Sequence, residues 1–193
     1  MKFELGKKRY NDYPTFFKTL FEERVQKLSI DGGFTCPNRD GSKGVGGCSF
    51  CNNESFNPDY CRAVRGITEQ IDEGIRFFAR KYKGQRYLAY FQAYSNTYAP
   101  LDVLKLRYEE ALAHPMISGL VVGTRPDVVS EEVLDYLEKL ARRYYVCVEY
   151  GVESVNDTVL RQGNRGHDFA VAEQTIQATA GRGITIGAHL IFG

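Results

Sequence analysis

Residues 25–51 read VQKLSIDGGFTCPNRDGSKGVGGCSFC. The first six alternate apolar and polar side chains as a half-buried β-strand does. The chain then runs directly into a loop rich in glycine, asparagine and aspartate that carries three cysteines spaced C-x11-C-x2-C, at Cys36, Cys48 and Cys51. Chemistry-bearing residues placed directly after a strand are the feature on which the fold assignment turns, and the pattern recurs downstream.

Working outward, TEQIDEGIRFFARKY (68–82) predicts a helix, with Ile71, Ile75 and Phe78 at helical spacing and Thr68 as N-cap. YLAYFQAY (87–94) is the second strand, LDVLKLRYEEALAH after Pro100 a helix, and GLVVG (119–123) the third strand. Ser130 opens the helix SEEVLDYLEKLARR, in which Val133, Leu134, Leu137 and Leu140 share the buried side and two glutamates follow the cap, as the dipole favours. YYVCVEYGV (144–152) is the fourth strand, DFAVAEQTIQATA a helix ending at Gly181, and GITIGAHLIFG (183–193) the fifth strand. No internal repeat, low-complexity tract or linker divides the chain.

Strands that alternate with helices, each joined by a connection long enough for a crossover, imply a parallel sheet with helices packed outside it. The handedness rule leaves an open doubly wound sheet or a β/α barrel. The polar residues decide for the barrel, because they sit where strands end: the cysteines, then QAYSNT, then TRPD (124–127), then GVES (151–154). The expected fold is therefore α/β, a partial (β/α) TIM-type barrel with five parallel strands. HLIFG is the interior and end of a strand with no helix after it, so the C-terminal unit or units are expected to be missing. Residues 1–24 are read as an N-terminal extension and 25–193 as the core domain.

The chain has 193 residues, 43% hydrophobic and 25% charged. No apolar run approaches the ~18 residues of a membrane span. MKFELGKKRYNDY lacks the apolar segment of a secretory signal, so a cytoplasmic location is expected. There thiols stay reduced, and clustered cysteines are more often metal or cofactor ligands than a disulfide framework; the odd total of five agrees. A net charge of +1 does not announce a nucleic-acid binder by bulk charge.

Two readings of the cysteines stay open on spacing. A structural zinc site needs four closed ligands, which Cys36, Cys48, Cys51 and Cys61 would supply. Three thiolates with a C-x2-C pair also suit an iron–sulfur cluster in which one iron keeps a site for something else. Cys147, alternating with valines, reads as a small core residue. Glu149 reads as either a site residue or a satisfied structural carboxylate, and His167 either acts on substrate or leads into the helix capped by Asp168.

Further motifs narrow the choice. DGGFTCPNRDG (31–41), QAYSNTYAP (92–100), TRPD, GVES and NRGH (164–167), taken with the cysteines, resemble the radical S-adenosylmethionine (radical SAM) enzymes over nearly all of residues 25–193. Within that superfamily the chain is similar to small bacterial proteins related to the catalytic subunit of Elongator, whose first cysteine spacing is long where C-x3-C-x2-C is commoner. The resemblance implies a [4Fe-4S] cluster on Cys36, Cys48 and Cys51, with SAM on the fourth iron. It places Phe50 near the adenine and Glu153 at the ribose hydroxyls or the methionine portion. It sets Arg165 against the SAM carboxylate, a complementary bidentate pairing. The family's glutamate after the second strand is missing, so the amino-group contact falls to backbone carbonyls or to Gln92, Ser95 or Asn96. GITIGAHLIFG matches the segment whose backbone lies under the adenine, with His189 where certain relatives carry an acidic residue.

The implied activity is reductive cleavage of SAM to a 5′-deoxyadenosyl radical, with a reductant such as flavodoxin or ferredoxin. Elongator-like relatives modify the wobble uridine of tRNA, which makes tRNA the leading substrate, and KKRYNDY (7–13) combines cations with Tyr10 and Tyr13 for phosphate contact and base stacking. A solvated tail explains the same residues. A small-molecule substrate and a zinc-stabilised nucleic-acid-binding module are the rival readings.

Overall fold

A computed structural model describes residues 9–10, 12–52, 57–80 and 85–192. Lys7, Lys8 and Asn11 of the basic N-terminal stretch lie outside the described residues. Five strands, β1 (Arg24–Ile30), β2 (Gln85–Phe91), β3 (Ile117–Thr124), β4 (Tyr145–Glu153) and β5 (Thr185–Leu190), form one sheet. It is all parallel and in the order β1-β2-β3-β4-β5. Sequential order without a reversal rules out the doubly wound alternative, which needs a switch point. The sheet does not close, and the architecture is a partial β/α barrel.

The two faces of the sheet differ in what covers them. Leu28, Ile30, Ala89, Phe91, Leu120, Val122, Val148 and Tyr150 point outward into one large core. Against them pack α2 (Ile67–Ala79), α3 (Leu101–Ala113), α4 (Glu131–Ala141) and α6 (Phe169–Thr179), through Ile71, Leu104, Tyr108, Leu137 and Ala172. Crossover helices packed against one face of a parallel sheet are the barrel arrangement. Ser130 and Asp168 cap their helices as the sequence indicates, accepting from Val133 N and Val171 N. Thr68 does not cap α2. The cap is Gly66, because Glu110 of α3 takes both the Thr68 amide and its hydroxyl, at 3.1 and 3.2 Å.

The inner face is covered at its lower end by a helix the strand-and-helix pattern did not announce, α1 (Tyr13–Leu20). Asp12 caps it by accepting from Thr15 N, and Pro14 sits in its first turn, where a missing N–H costs nothing. Phe17 is buried with Leu88, Val121 and Cys147, and stacks edge-on to Tyr145 at 5.5 Å. Burial of one such ring contributes roughly 2–3 kcal/mol, which fixes α1 to the sheet. Tyr13 accordingly turns inward: its hydroxyl donates to Glu149 at 3.3 Å, and its ring lies 4.4 Å from the Lys27 ammonium. The 87–94 strand ends earlier than its apolar pattern, at Phe91, because Tyr94 takes a left-handed φ of 64° and breaks the ladder. A short helix, α5 (Asp157–Gln162), follows β4 with Asn156 as its cap. Among the described residues no helix is long and apolar enough to cross a membrane.

Candidate active site

All three cysteines of the first loop line one cavity of about 690 Å3 over the C-terminal ends of the strands. Phe50, Gln92, Ser95, Glu153 and Arg165 line it too, so residues separated by more than a hundred positions converge there. Parallel strands that end together at one rim make this the expected place for a site.

The cysteine loop is held from the opposite side of the cavity. Asn38, 1% exposed, donates to the carbonyls of Asn164 and Arg165, the latter at 3.2 Å. Asn164 donates back to Gly47 O at 2.8 Å, and Ser49 N donates to Gly163 O at 3.0 Å. Gly166, at φ +76°, is required in this clasp, since a Cβ there would lie 2.5 Å from Asn38 Oδ1. Asp40 accepts from the amide and hydroxyl of Ser42 and shapes the turn. Arg39 instead lines the cavity, reaching Cys51 O at 3.4 Å and lying 5.8 Å from the Tyr94 ring.

Arg165 lies across the strand ends. One terminal nitrogen donates to Gly151 O and stands 3.7 Å from Glu153, the other approaches Cys48 Sγ at 3.6 Å, and its Nε is buried without a partner. The guanidinium fits only because residue 151 is glycine, as a Cβ there would come within 2.6 Å of it. Glu153 itself has φ 66°, a conformation costly for a side chain of its shape and concentrated at functional sites. Burial raises the Glu153 carboxyl above its usual range, and Arg165 offsets this in part. Ser95 Oγ is another buried orphan in the cavity wall.

Asn96 has a different task from the one expected. It is fully buried and its amide donates to Phe91 O at 3.1 Å and Gly123 O at 2.7 Å, tying the ends of β2 and β3 together, and it does not line the cavity. Cys61 does not join the other three cysteines. It is 2% exposed, lines a separate depression with Asp31 and Asp59, and burial pushes its thiol up to about 12. Cys147 is a core thiol, likewise pushed up to about 12 by burial. His167 contacts Asp168 O at 3.0 Å at the entry to α6.

From sequence Arg125 has no individual role, and Glu149 has two readings, a site residue or a satisfied structural carboxylate. Arg125 of TRPD is 2% exposed; its Nε and Nη2 both donate to Asp127 at 2.8 Å, while its Nη1 is buried without a partner in the cavity wall. Burial alone would raise Asp127, but hydrogen bonds from Arg125 and Lys43 hold it down at about 2. Deeper in the cavity, Glu149 accepts from Lys27, from His189 Nε2 at 3.1 Å, from Tyr13 and from Tyr90. These donors outweigh its burial and bring the carboxyl down to about 2, and the same hydrogen bond raises His189. Arg125 directly follows β3 and Glu149 sits in the middle of β4, and nothing local tells which partners they meet.

Among the described residues no group of three or more His, Cys, Asp and Glu side chains forms a ready-made metal site. The donor set nevertheless suits an iron–sulfur cluster: three cysteines line one cavity, beside buried N–H and O–H groups (Arg165 Nε, Arg125 Nη1, Ser95 Oγ) that nothing among the described residues satisfies. Native proteins rarely leave such groups orphaned, so these are consistent with a polar ligand.

Comparison with known proteins agrees with this geometry. Residues 36–193 match the family model described as the Radical SAM superfamily. Protein YhcC of Escherichia coli (strain K12) is 45% identical over 174 residues, covering 90% of this chain and 55% of that protein. Uncharacterized protein YtqA of Bacillus subtilis (strain 168) is 35% identical over 186 residues, 96% of this chain and 58% of its own length. Uncharacterized protein MJ0486 of Methanocaldococcus jannaschii is 32% identical over 188 residues, 95% and 56% respectively. The chain thus spans a little over half the length of these relatives. With the three cysteines and the strand-end residues gathered at one cavity of an open β/α barrel, the chain belongs to the radical SAM superfamily.

Proposed function

We propose that this chain is the cofactor-binding part of a radical SAM enzyme that acts on tRNA, at the wobble uridine, and that it draws electrons from a flavodoxin- or ferredoxin-type donor. The observation that carries the cofactor reading is the convergence of Cys36, Cys48 and Cys51 with unsatisfied buried donors on one cavity wall. The three cysteines would hold three irons of a [4Fe-4S] cluster. Gln92 and Ser95 would face the amino group of SAM, Glu153 the ribose hydroxyls and Phe50 the adenine. Arg165 keeps one N–H for the SAM carboxylate, at Nε. When bound, the cluster and SAM supply one-electron cleavage of the sulfonium to methionine and a 5′-deoxyadenosyl radical. The protein's own part is to orient these groups, to bind the anionic end of SAM and to keep water from the deep end of the cavity.

The tRNA reading rests on the likeness to Elongator-type proteins and is supported by the rim of the cavity. There Arg39 faces the ring of half-exposed Tyr94, and Phe50 is 41% exposed, a cation with aromatics suited to phosphate contact and base stacking. The cavity volume, about 690 Å3, favours a second reading in which the substrate is a small molecule, since it falls within the usual range for such ligands.

Anaerobic reconstitution tests the cofactors. The wild-type protein should turn brown with about four irons per chain and form 5′-deoxyadenosine from SAM and dithionite. Cys48→Ala should lose both, whereas Cys61→Ala should keep its iron. A colourless protein with one tightly held zinc, lost in Cys61→Ala, would establish the zinc-stabilised binding module instead. For the substrate, modified nucleosides in tRNA are compared between cells with and without the gene; an unchanged profile sends the assignment to the small-molecule reading.

A further inference from the structure

The three cysteine sulfurs have unequal surroundings. Cys48 is 7% exposed, whereas Cys36 and Cys51 are half-buried. Two side-chain N–H groups approach Cys48 Sγ: Asn38 Nδ2 at 3.6 Å and Arg165 Nη1 at 3.6 Å. Both of those side chains belong to residues more than nine-tenths buried. Cys36 O accepts from the amides of Arg39 and Asp40, and Cys51 O from Arg39; the guanidinium of Arg39 also bonds the Cys51 side chain, but it does so from an exposed residue, unlike the buried donors on Cys48. The asymmetry is held in place. Asn38 is fixed by the carbonyls of residues 164 and 165, and Arg165 by Gly151 O and Glu153.

We propose that Asn38 and Arg165 form a hydrogen-bonding shell on the Cys48 thiolate that raises the reduction potential of the cluster. The proposal rests on the three cysteines being its ligands. On reduction one electron leaves a donor of low potential and enters the cluster, whose core passes from 2+ to 1+; no bond is made or broken and no proton moves. The reduced form carries one more negative charge, so N–H groups on a ligating sulfur stabilise it more than the oxidised form. A guanidinium contributes a charge, offset in part here by Glu153 at 3.7 Å, and an amide contributes a dipole. Asn38 is thereby a positioning residue with an electronic effect. Its two N–H groups serve three acceptors, the carbonyls of residues 164 and 165 and Cys48 Sγ, so the amide clasps the cysteine loop and polarises one sulfur through a shared N–H, and only the second moves a potential.

The test is a potentiometric titration of the anaerobically reconstituted protein, poised with dithionite and followed by the EPR signal of the reduced cluster. Asn38→Ala loaded with the wild-type amount of iron should be harder to reduce. At the wild-type midpoint its reduced-to-oxidised ratio should fall about tenfold, equivalent to 59 mV for one electron. Arg165→Lys, which keeps a charge but not the planar fork, should shift in the same direction. Ser42→Ala, in the same loop but bonded to Asp40 and Tyr98, should not shift. A fully loaded Asn38→Ala at the wild-type potential, or a Ser42→Ala shift of equal size, overturns the proposal. If Asn38→Ala takes up no iron, pulsed EPR of the reduced wild-type protein in H2O and D2O decides instead. Exchangeable-proton couplings from N–H groups on the cluster are expected, and their absence overturns the shell. Failure to assemble any iron–sulfur cluster in the wild-type protein would instead refute the ligand assignment itself, which is a separable outcome.

Discussion

Two charged clusters line the same cavity, and they differ in how completely their polar groups are satisfied. At the deep end Glu149 is surrounded by donors from Lys27, His189, Tyr13 and Tyr90, contributed by β1, β5, α1 and β2. At the cysteine end Arg125 Nη1, Arg165 Nε and Ser95 Oγ are buried with no partner among the described residues, and Glu153 is held in a left-handed conformation. A satisfied buried ion cluster needs nothing further and joins the elements that supply it. An unsatisfied one persists against its desolvation cost because the surrounding fold enforces it, and it is ready to take a polar ligand. On the proposed function, the difference separates the part of the cavity that braces the barrel from the part that would bind the cofactors.

The largest effect should follow from breaking the satisfied cluster. Glu149→Gln removes a carboxylate whose side chain is 7% exposed, taking from Lys27 its ion-pair partner and from His189 the carboxylate it is hydrogen-bonded to, so that only Glu153 still favours the charged imidazole. Loss of one partner from a buried pair costs about 3–5 kcal/mol, and because Lys27 is 24% exposed the lower end applies. Thermal unfolding should fall by roughly 6–12 °C for a loss of about 3 kcal/mol in a chain of this size. A variant within a degree of wild type would show that this cluster does not brace the fold, and the contrast between the two ends would lose its structural half.

The same cluster should show itself in pH. Glu149 is depressed to about 2 in the folded protein, against roughly 4.3 unfolded. Its contribution is therefore complete above pH ~4.3 and is lost as pH falls through 4 toward 2. His189 is raised by Glu149, so its contribution is complete below its ordinary value of about 6.5 and is lost as pH rises through the higher folded value. Denaturant unfolding across pH 3 to 9 should thus give a stability plateau between an acid limb and a shallower alkaline one. Glu149→Gln should flatten both limbs; if the alkaline limb survived unchanged, His189 would not be held by this carboxylate.

How much of this contrast was readable beforehand depends on whether a residue's role is local. The order of the strands, the loop carrying the three cysteines and the caps at Ser130 and Asp168 follow from patterns within a few residues, and they stand where those patterns put them, although β2 stops at Phe91 and not at Tyr94. The task of Asn38 depends on carbonyls about 126 residues away, and the state of Glu149 depends on donors from four separate elements. Thr68 looked like a cap because only its own helix was in view, while its partner Glu110 belongs to the next one. The α1 helix had its Asp12 cap and Pro14, yet what anchors it is Phe17 against Leu88, Val121 and Cys147, a set no local window contains. Asn96, whose neighbours suggested a ligand contact, spends its amide on two strand-end carbonyls that only tertiary structure brings together.

The smallest stability effect is the sharpest test of the unsatisfied end. Ser95 is 1% exposed, and its Oγ has no hydrogen-bond partner, although its amide is secured to Thr35 O at 3.1 Å. A buried hydroxyl without a partner is a desolvation cost, so Ser95→Ala should be neutral or stabilise by up to about 1 kcal/mol. If the hydroxyl is kept for a ligand, the same substitution should weaken SAM binding by a factor of about 10, the value of one hydrogen bond of roughly 1.4 kcal/mol. Equilibrium binding of SAM to the reconstituted protein, read beside the unfolding curve, gives both quantities from one variant. Opposite signs, firmer folding with weaker binding, are what a wall built around an absent partner requires. A loss of stability would mean that Ser95 already has its partner within the fold, and the cysteine end would then be as self-sufficient as the Glu149 end.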